Sequence, residues 1–427
     1  MVPGRWFLPV LLVLGLAAPA PVRPSTGSGR TDQGDPTSPE ARRRIADRIA
    51  AEHLGVKDGQ IVVVRGDVRA LDFLEELSVA IARHGGSPLQ TVTTERLGLR
   101  MYEEVPEKYD KMRQGAAIEL AELVDGIVSV ESSDQPDLLH GIPAARVLVA
   151  SKTETDVKSI LRDRGVPLLI IGNGLWPTAA AAKLHGLSVA ELSRVFWSAL
   201  AVTPRELRDT GNAVRHAIGA GRQIRVTHPN GTDLTFSVEE RPVLVSDGTS
   251  SPENLADDVV EAHLPAGEVL VAPVRESANG KLVVTRMPFE GGWLEKFSLE
   301  FSRGRVIKHA GKPGKAYERF RQLYDAAPQV GRDELALLVI GVNRGARTPN
   351  GRALVSSIPA GTVTVGIGNN TRGGGETDVP FSFVAPLAGA TVTVDGKPVV
   401  KKGELAVPAP QKGATGGAGQ KPKAAAR

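Results

Sequence analysis

Side chains able to carry nucleophilic or metal chemistry are spread unevenly along this chain of 427 residues. Cysteine is absent, which excludes thiol catalysis and any thiolate-held zinc or iron–sulfur centre. No Gly-x-Ser-x-Gly stretch presents a serine on a strand-to-helix elbow. The eight histidines end at His309 and the four tyrosines at Tyr324, so the chain beyond offers neither imidazole nor phenol. Arg65-Gly66-Asp67 has the form of an adhesion tripeptide, but a turn after the apolar run Ile61–Val64 explains it as well. That run is not followed by Gly-x-Gly-x-x-Gly, so a dinucleotide phosphate cradle is missing. Asn230 and Asn369 open Asn-x-Thr sequons, relevant only in a glycosylating source.

Net charge narrows the partners. The formal charge is +4, yet the first 30 residues contribute three cations and residues 401–427 a net of five. Residues 31–400 are therefore mildly acidic, and a nucleic-acid groove is not expected.

The elements that would position a site follow in order. Arg5 and the apolar run Trp6–Ala20, ending in small residues, predict a cleaved secretory signal over residues 1–20. The run is shorter than a membrane span and is interrupted by Pro9. Residues 21–39 read as a flexible leader and 406–427 as a disordered tail, being rich in small residues, proline and, in the tail, lysine. The expectation is an exported protein, periplasmic or secreted, stable without disulfides, with no membrane span after signal cleavage.

Ser38-Pro39-Glu40 predicts a helix start. Short apolar strands at Ile61–Val64, Leu89–Val92, Ile127–Val130, Val147–Ala150 and Leu168–Ile171 alternate with mostly helical stretches, the pattern of a parallel sheet. Residues 40–220 are thus expected to form an α/β domain. From Gln223 the pattern changes to short strands separated by Gly-rich turns, with one helix around Lys315–Ala326. Residues 221–405 are expected to form a mostly antiparallel, barrel-like β-rich domain.

Several phrases occur together in the second half: Gly231-Thr232-Asp233-Leu234-Thr235-Phe236, Pro265-Ala266-Gly267-Glu268-Val269, Gly304-Arg305-Val306 and Gly361-Thr362-Val363. With Pro177-Thr178, the helix near Ser188–Leu200 and Arg65-Gly66-Asp67 in the same order, the chain resembles the thermophilic metallo-aminopeptidases of the aminopeptidase T and aminopeptidase S type. The resemblance implies a two-domain protein, usually a homodimer. Its second domain would hold two divalent ions (Zn, Co or Mn) that bind a peptide's amino end and an attacking water. It also implies a ligand set of two Glu, two His and one Asp, with an assisting Tyr.

Matched onto this sequence, that set is incomplete. Glu268 retains the first carboxylate. The second falls on Leu337 without a gap, or on Glu334 if three extra residues are allowed. Thr364 stands in place of the first His, Thr371 in place of the Tyr, and Pro380 and Ser382 in place of the His-x-Asp pair. Proline cannot ligate a metal, and neutral hydroxyls are poor replacements for imidazole. Glu376 and Asp378 are possible compensating carboxylates. His263, five residues before Glu268 at the same strand entrance, could approach the site, although a lone His is more often structural or exposed, and His309 is similar. Glu268, Glu334, Asp378 and Glu376 together would make an all-oxygen site suited to Mg, Ca or Mn rather than zinc. The expectation is an exported aminopeptidase relative with its dinuclear site largely lost, its cleft turned to binding a peptide or small molecule and needing no metal. The alternative is an active enzyme with an atypical carboxylate-rich site.

Overall fold

The protein is described by a computed structural model over residues 35–135, 142–143, 146, 156–249, 261–289, 292–348 and 354–407. The segment expected to be a signal, the strand expected at Val147–Ala150 and nearly all of the expected tail lie outside these residues.

Helix α1 (Pro39–Arg48) starts where its cap dictates: the Ser38 hydroxyl accepts the Ala41 N–H at 3.2 Å, with proline at the first turn. Strand β1 (Ile61–Asp67), helix α2 (Leu71–Arg83), strand β2 (Ser87–Thr93), helices α3 (Glu95–Glu103) and α4 (Asp110–Leu123), and strands β3 (Gly126–Val130) and β4 (Leu168–Ile171) follow. The sheet runs β2-β1-β3-β4-β8, with every pairing parallel. Its last strand, β8 (Glu261–Leu264), comes from well beyond residue 220, so the chain returns to this layer after the antiparallel part has begun. Helix-length crossovers explain the parallel pairing, and burial on both faces explains the continuous Val and Ile runs.

One face of the sheet packs on α1, α2 and helices α5 (Ala179–His185) and α6 (Val189–Ala201), while α7 (Pro204–Gly219) gives Leu207 to this core and Val214 and Ile218 to the core of the antiparallel sheets. Reciprocal capping boxes, Ser188 with Glu191 and Thr203 with Glu206, start α6 and α7. Phe73, Trp176, Phe196 and Trp197 meet edge to face or tilted in this core. Among the described residues, no helix is long and apolar enough to cross a membrane.

The rest is antiparallel. Strands β5 (Gln223–His228) and β6 (Thr232–Ser237) form the hairpin expected around Asn230-Gly231. They join β10 (Asn279–Phe289), β11 (Gly292–Ser302), β12 (Arg305–Ala310), β16 (Thr391–Val394), β17 (Lys397–Lys401) and β18 (Glu404–Leu405) in an eight-stranded sheet. A second sheet, ordered β15-β14-β13-β9-β7, contains β7 (Val243–Ser246), β9 (Glu268–Val271), β13 (Leu335–Gly341), β14 (Val363–Gly368) and β15 (Ser382–Leu387). Phe236, Phe297, Leu338, Ile340 and Val365 belong to one core shared by both sheets, with helix α8 (Lys315–Ala326) adding Phe320.

Candidate site on the five-stranded sheet

Glu268 opens β9, opposite Gly341 of β13 and Ser246 of β7. The turn before it is fixed by Asn343, which is fully buried. Its amide donates to the carbonyls of Ala266 (2.7 Å) and Ala199 (3.0 Å), and its oxygen accepts the Gly345 and Ala346 N–H groups. Gly267 has φ +121°, and a Cβ there would lie 2.8 Å from Asn343 Cβ, so only glycine fits. The Pro265–Val269 phrase and the segment Gly341–Asn343 are therefore one packed unit, and it anchors the start of the strand that carries the buried Glu268.

Side chains alternate along a strand, so register identifies what shares a face with Glu268. Leu270 lies opposite Val339, and Val339 opposite Thr364. Leu337 follows in the same alternation, and all four side chains are buried. Three are aliphatic, and the Thr364 hydroxyl has no hydrogen-bond partner among the described residues. Leu337, the ungapped position for the second carboxylate, thus lies on this face as an apolar group. The segment after β14 closes over it: a Cβ on Gly373 would come within 2.6 Å of Leu337 Cδ2.

That segment also supplies a cation. Arg372 Nη2 donates to Glu268 Oε2 at 2.5 Å, and the Ser357 hydroxyl donates to Oε1. Burial alone would raise the Glu268 pKa. The Arg372 charge and the hydrogen bonds from Ser357 and Arg372 outweigh burial and hold the carboxyl below the usual range. Both oxygens are engaged, and the compensating charge is a guanidinium of this chain.

Glu334 is elsewhere. It precedes β13, whereas Glu268 pairs at the other end of that strand, on the order of 20 Å away at about 3.3 Å per residue. Arg275 donates to its Oε1 from Nη2 (2.7 Å) and Nε (3.2 Å), Arg305 Nη2 lies 3.7 Å away, and the Thr377 hydroxyl donates to Oε2 at 2.9 Å. The two carboxylates matched to the metal ligands are therefore not brought together. Glu334 instead shares a cleft of about 510 Å³ with Glu376 and Asp378, alongside Arg241, Arg275 and Arg305. Asp378 also accepts from the Asn369 amide at 2.8 Å.

The remaining candidates are dispersed. Thr371 is exposed and bonds Asn369 Oδ1 through its N–H and hydroxyl. Pro380 is exposed, and Ser382 begins β15 opposite Gly368. His263 Nε2 sits 2.9 Å from Glu261 in the parallel sheet. His309 accompanies the Tyr317 hydroxyl at 3.0 Å, and burial pushes its pKa down. Sequence reasoning passed over Arg372 and Ser357, and used Asn343 only as part of the Gly341-Val342-Asn343 segment that follows the second carboxylate in the family pattern. The available signal for Arg372 was a cation directly beside Thr371, while Ser357 reaches Glu268 across 89 residues of chain and left none.

These donors do not fit a pair of divalent ions. Among the described residues around Glu268 stand one committed carboxylate, the Arg372 guanidinium, a neutral hydroxyl and aliphatic side chains. His263 is near enough for its charge to act on Glu268 but is paired with Glu261, and the three carboxylates in the cleft are interleaved with guanidinium groups.

Comparisons with known proteins place this geometry. The family model for thermophilic metalloproteases (M29) matches residues 40–326, and the chain belongs to that family. The matched span contains Glu268 and ends before Glu334 and Thr364. Wild-type AmpT from Thermus thermophilus superposes with a TM-score of 0.62 at 19% identity, over 86% of this chain and 99% of that one. The 2,5-dihydroxypyridine dioxygenase of Pseudomonas putida KT2440 gives 0.54 at 15% identity, over 87% and 98%. At such identities the likeness is one of fold. A search of curated proteins returns no match.

Proposed function

We propose that this chain is an exported, non-catalytic member of the M29 aminopeptidase family, with the scaffold kept for binding a peptide or small molecule. The observation that carries the reading is the Glu268–Arg372 ion pair. A dinuclear hydrolase needs that carboxylate free for cations with open coordination positions; here it is neutralised in place, beside an aliphatic Leu270–Leu337–Val339 floor. Export is the reading of the amino-terminal segment and is tested by the mass of the mature chain.

The decisive experiment equilibrates purified mature protein with Zn, Co or Mn, removes free ions, and measures bound metal and hydrolysis of amino-acid amides. The expected result is metal well below one ion per chain and no chelator-sensitive cleavage. Two ions per chain with chelator-sensitive release of N-terminal residues would overturn the reading. The second reading, an active carboxylate-rich centre, is favoured by Glu334, Glu376 and Asp378 sharing one cleft. It requires that Glu376→Gln with Asp378→Asn abolish both metal uptake and cleavage.

A further inference from the structure

The strand order β2-β1-β3-β4-β8 reverses direction at β1, whose neighbours are β2 on one side and β3 on the other. In open α/β sheets the crevice beyond the carboxyl ends of such strands is where ligands bind. Here the loops after β1 and β3 converge on a carboxylate belonging to the chain. Glu95, at the start of α3 and 5% exposed, directs Oε1 at the Ser133 hydroxyl (2.6 Å), the Asp134 N–H (2.9 Å) and the Gln135 N–H (3.1 Å). Its Oε2 accepts from Arg69 Nη2 at 2.6 Å. Two backbone N–H groups, a hydroxyl and a guanidinium form a complete recognition set for a carboxylate.

Other contacts also hold the set in place. Asp67 accepts the Arg69 N–H (3.0 Å) and Nη1 (2.9 Å), and it also accepts the Glu95 N–H at 3.1 Å. Asp134 Oδ1 accepts the Ala180 N–H at 2.8 Å, tying the loop after β3 to the start of α5. Ser132, the sequence neighbour of Ser133, is 2% exposed and its hydroxyl has no partner among the described residues. Burial opposes the charge on Glu95, yet Ser133, the Asp134 N–H, Arg69 and the Gln135 N–H hold its carboxyl below the usual range.

We propose that this switch point is a binding site for a small carboxylate, closed in cis by Glu95. An external carboxylate enters only when the Glu95 side chain withdraws. Asp67 and Asp134 remain nearby as acids, which weakens affinity for a free carboxylate. The inference is independent of whether the metal site of the second half is lost.

The test uses Glu95→Ala in the full chain, with formate as probe and phosphate and chloride as comparison ions at equal ionic strength. Formate is expected to raise the Tm of the variant saturably, by about 1.5–2 °C at ten times its Kd, while wild type shows no saturable rise. Adding Ser133→Ala is expected to weaken formate about 5- to 10-fold through the lost hydrogen bond. A larger shift with phosphate than with formate, or an equal shift with chloride, refutes a carboxylate site, as does a formate response identical in wild type and variant. If Glu95→Ala does not fold, Glu95→Gln keeps the packing but sets an amide N–H₂ against donors. Formate must then stabilise Glu95→Gln more than wild type, and an equal response refutes the proposal.

Discussion

Removing the guanidinium beside Glu268 is the most direct perturbation of the site. Arg372→Met leaves a carboxylate that is 4% exposed with only Ser357 as donor. Breaking a fully buried ion pair costs about 3–5 kcal/mol. The Arg372 side chain is 55% exposed, so water takes over part of its role, and we expect about 2 kcal/mol. Glu268→Gln removes the charge, keeps the shape and leaves Arg372 solvated, for about 1 kcal/mol. With both changes the buried charge is gone, and the expected loss is about 1.5 kcal/mol, a coupling of about 1.5 kcal/mol. Urea unfolding with unchanged m-values measures all three. The acid limb of Arg372→Met should also begin at higher pH, because burial then raises the Glu268 pKa without Arg372 to oppose it. Additivity of the two substitutions within about 0.5 kcal/mol would refute the ion pair as the organising feature of the site.

Other expectations follow from buried polar groups. His53 accompanies the Gly248 carbonyl at 2.8 Å, and burial pushes its pKa to about 4 from 6.5. Its neutral form is favoured in the fold, so stability present above pH 6.5 should fall as pH drops towards 4, by up to about 3 kcal/mol. His53→Gln should flatten that window in chemical unfolding, leaving the part due to His185, whose pKa burial also lowers. Glu261 is held at about 2 despite its burial, by His263 and Lys158. Its contribution is complete above pH 4.5 and lost as pH falls through about 2, so Glu261→Gln should lose about 2 kcal/mol at neutral pH and less below pH 3, read by the same unfolding curves. Asn343→Ala leaves two carbonyls and two N–H groups unpaired and should cost about 4 kcal/mol, seen as a lower urea midpoint or loss of soluble protein.

The elements of this fold were legible wherever local chemistry decides them. Ser38-Pro39 marks α1, Asn230-Gly231 marks the first hairpin, and α8 spans Lys315–Ala326 where a helix is expected. The return of β8 to the parallel sheet was not legible, because four residues carry no signature of which sheet they join. At the site, the absence of histidine after His309 could be read directly, since a residue type cannot be hidden. The surroundings of Glu268 could not. The Arg372–Glu268 contact spans 104 residues, and sequence spacing does not encode such a meeting. Glu334 illustrates the same limit: a spacing argument made it a ligand candidate, and the length of β13 carries it away from Glu268.

The late strand β8 has a practical consequence. Only residues 265–267 separate it from β9, so the two layers are sewn together by the chain that delivers Glu268. A fragment ending near residue 220 would leave the edge of Leu168–Ile171 bare and inclined to self-associate, and the complementary fragment would carry an orphan strand. Dissection at that apparent border should give insoluble halves that recover only when co-expressed, so binding studies need the undivided polypeptide.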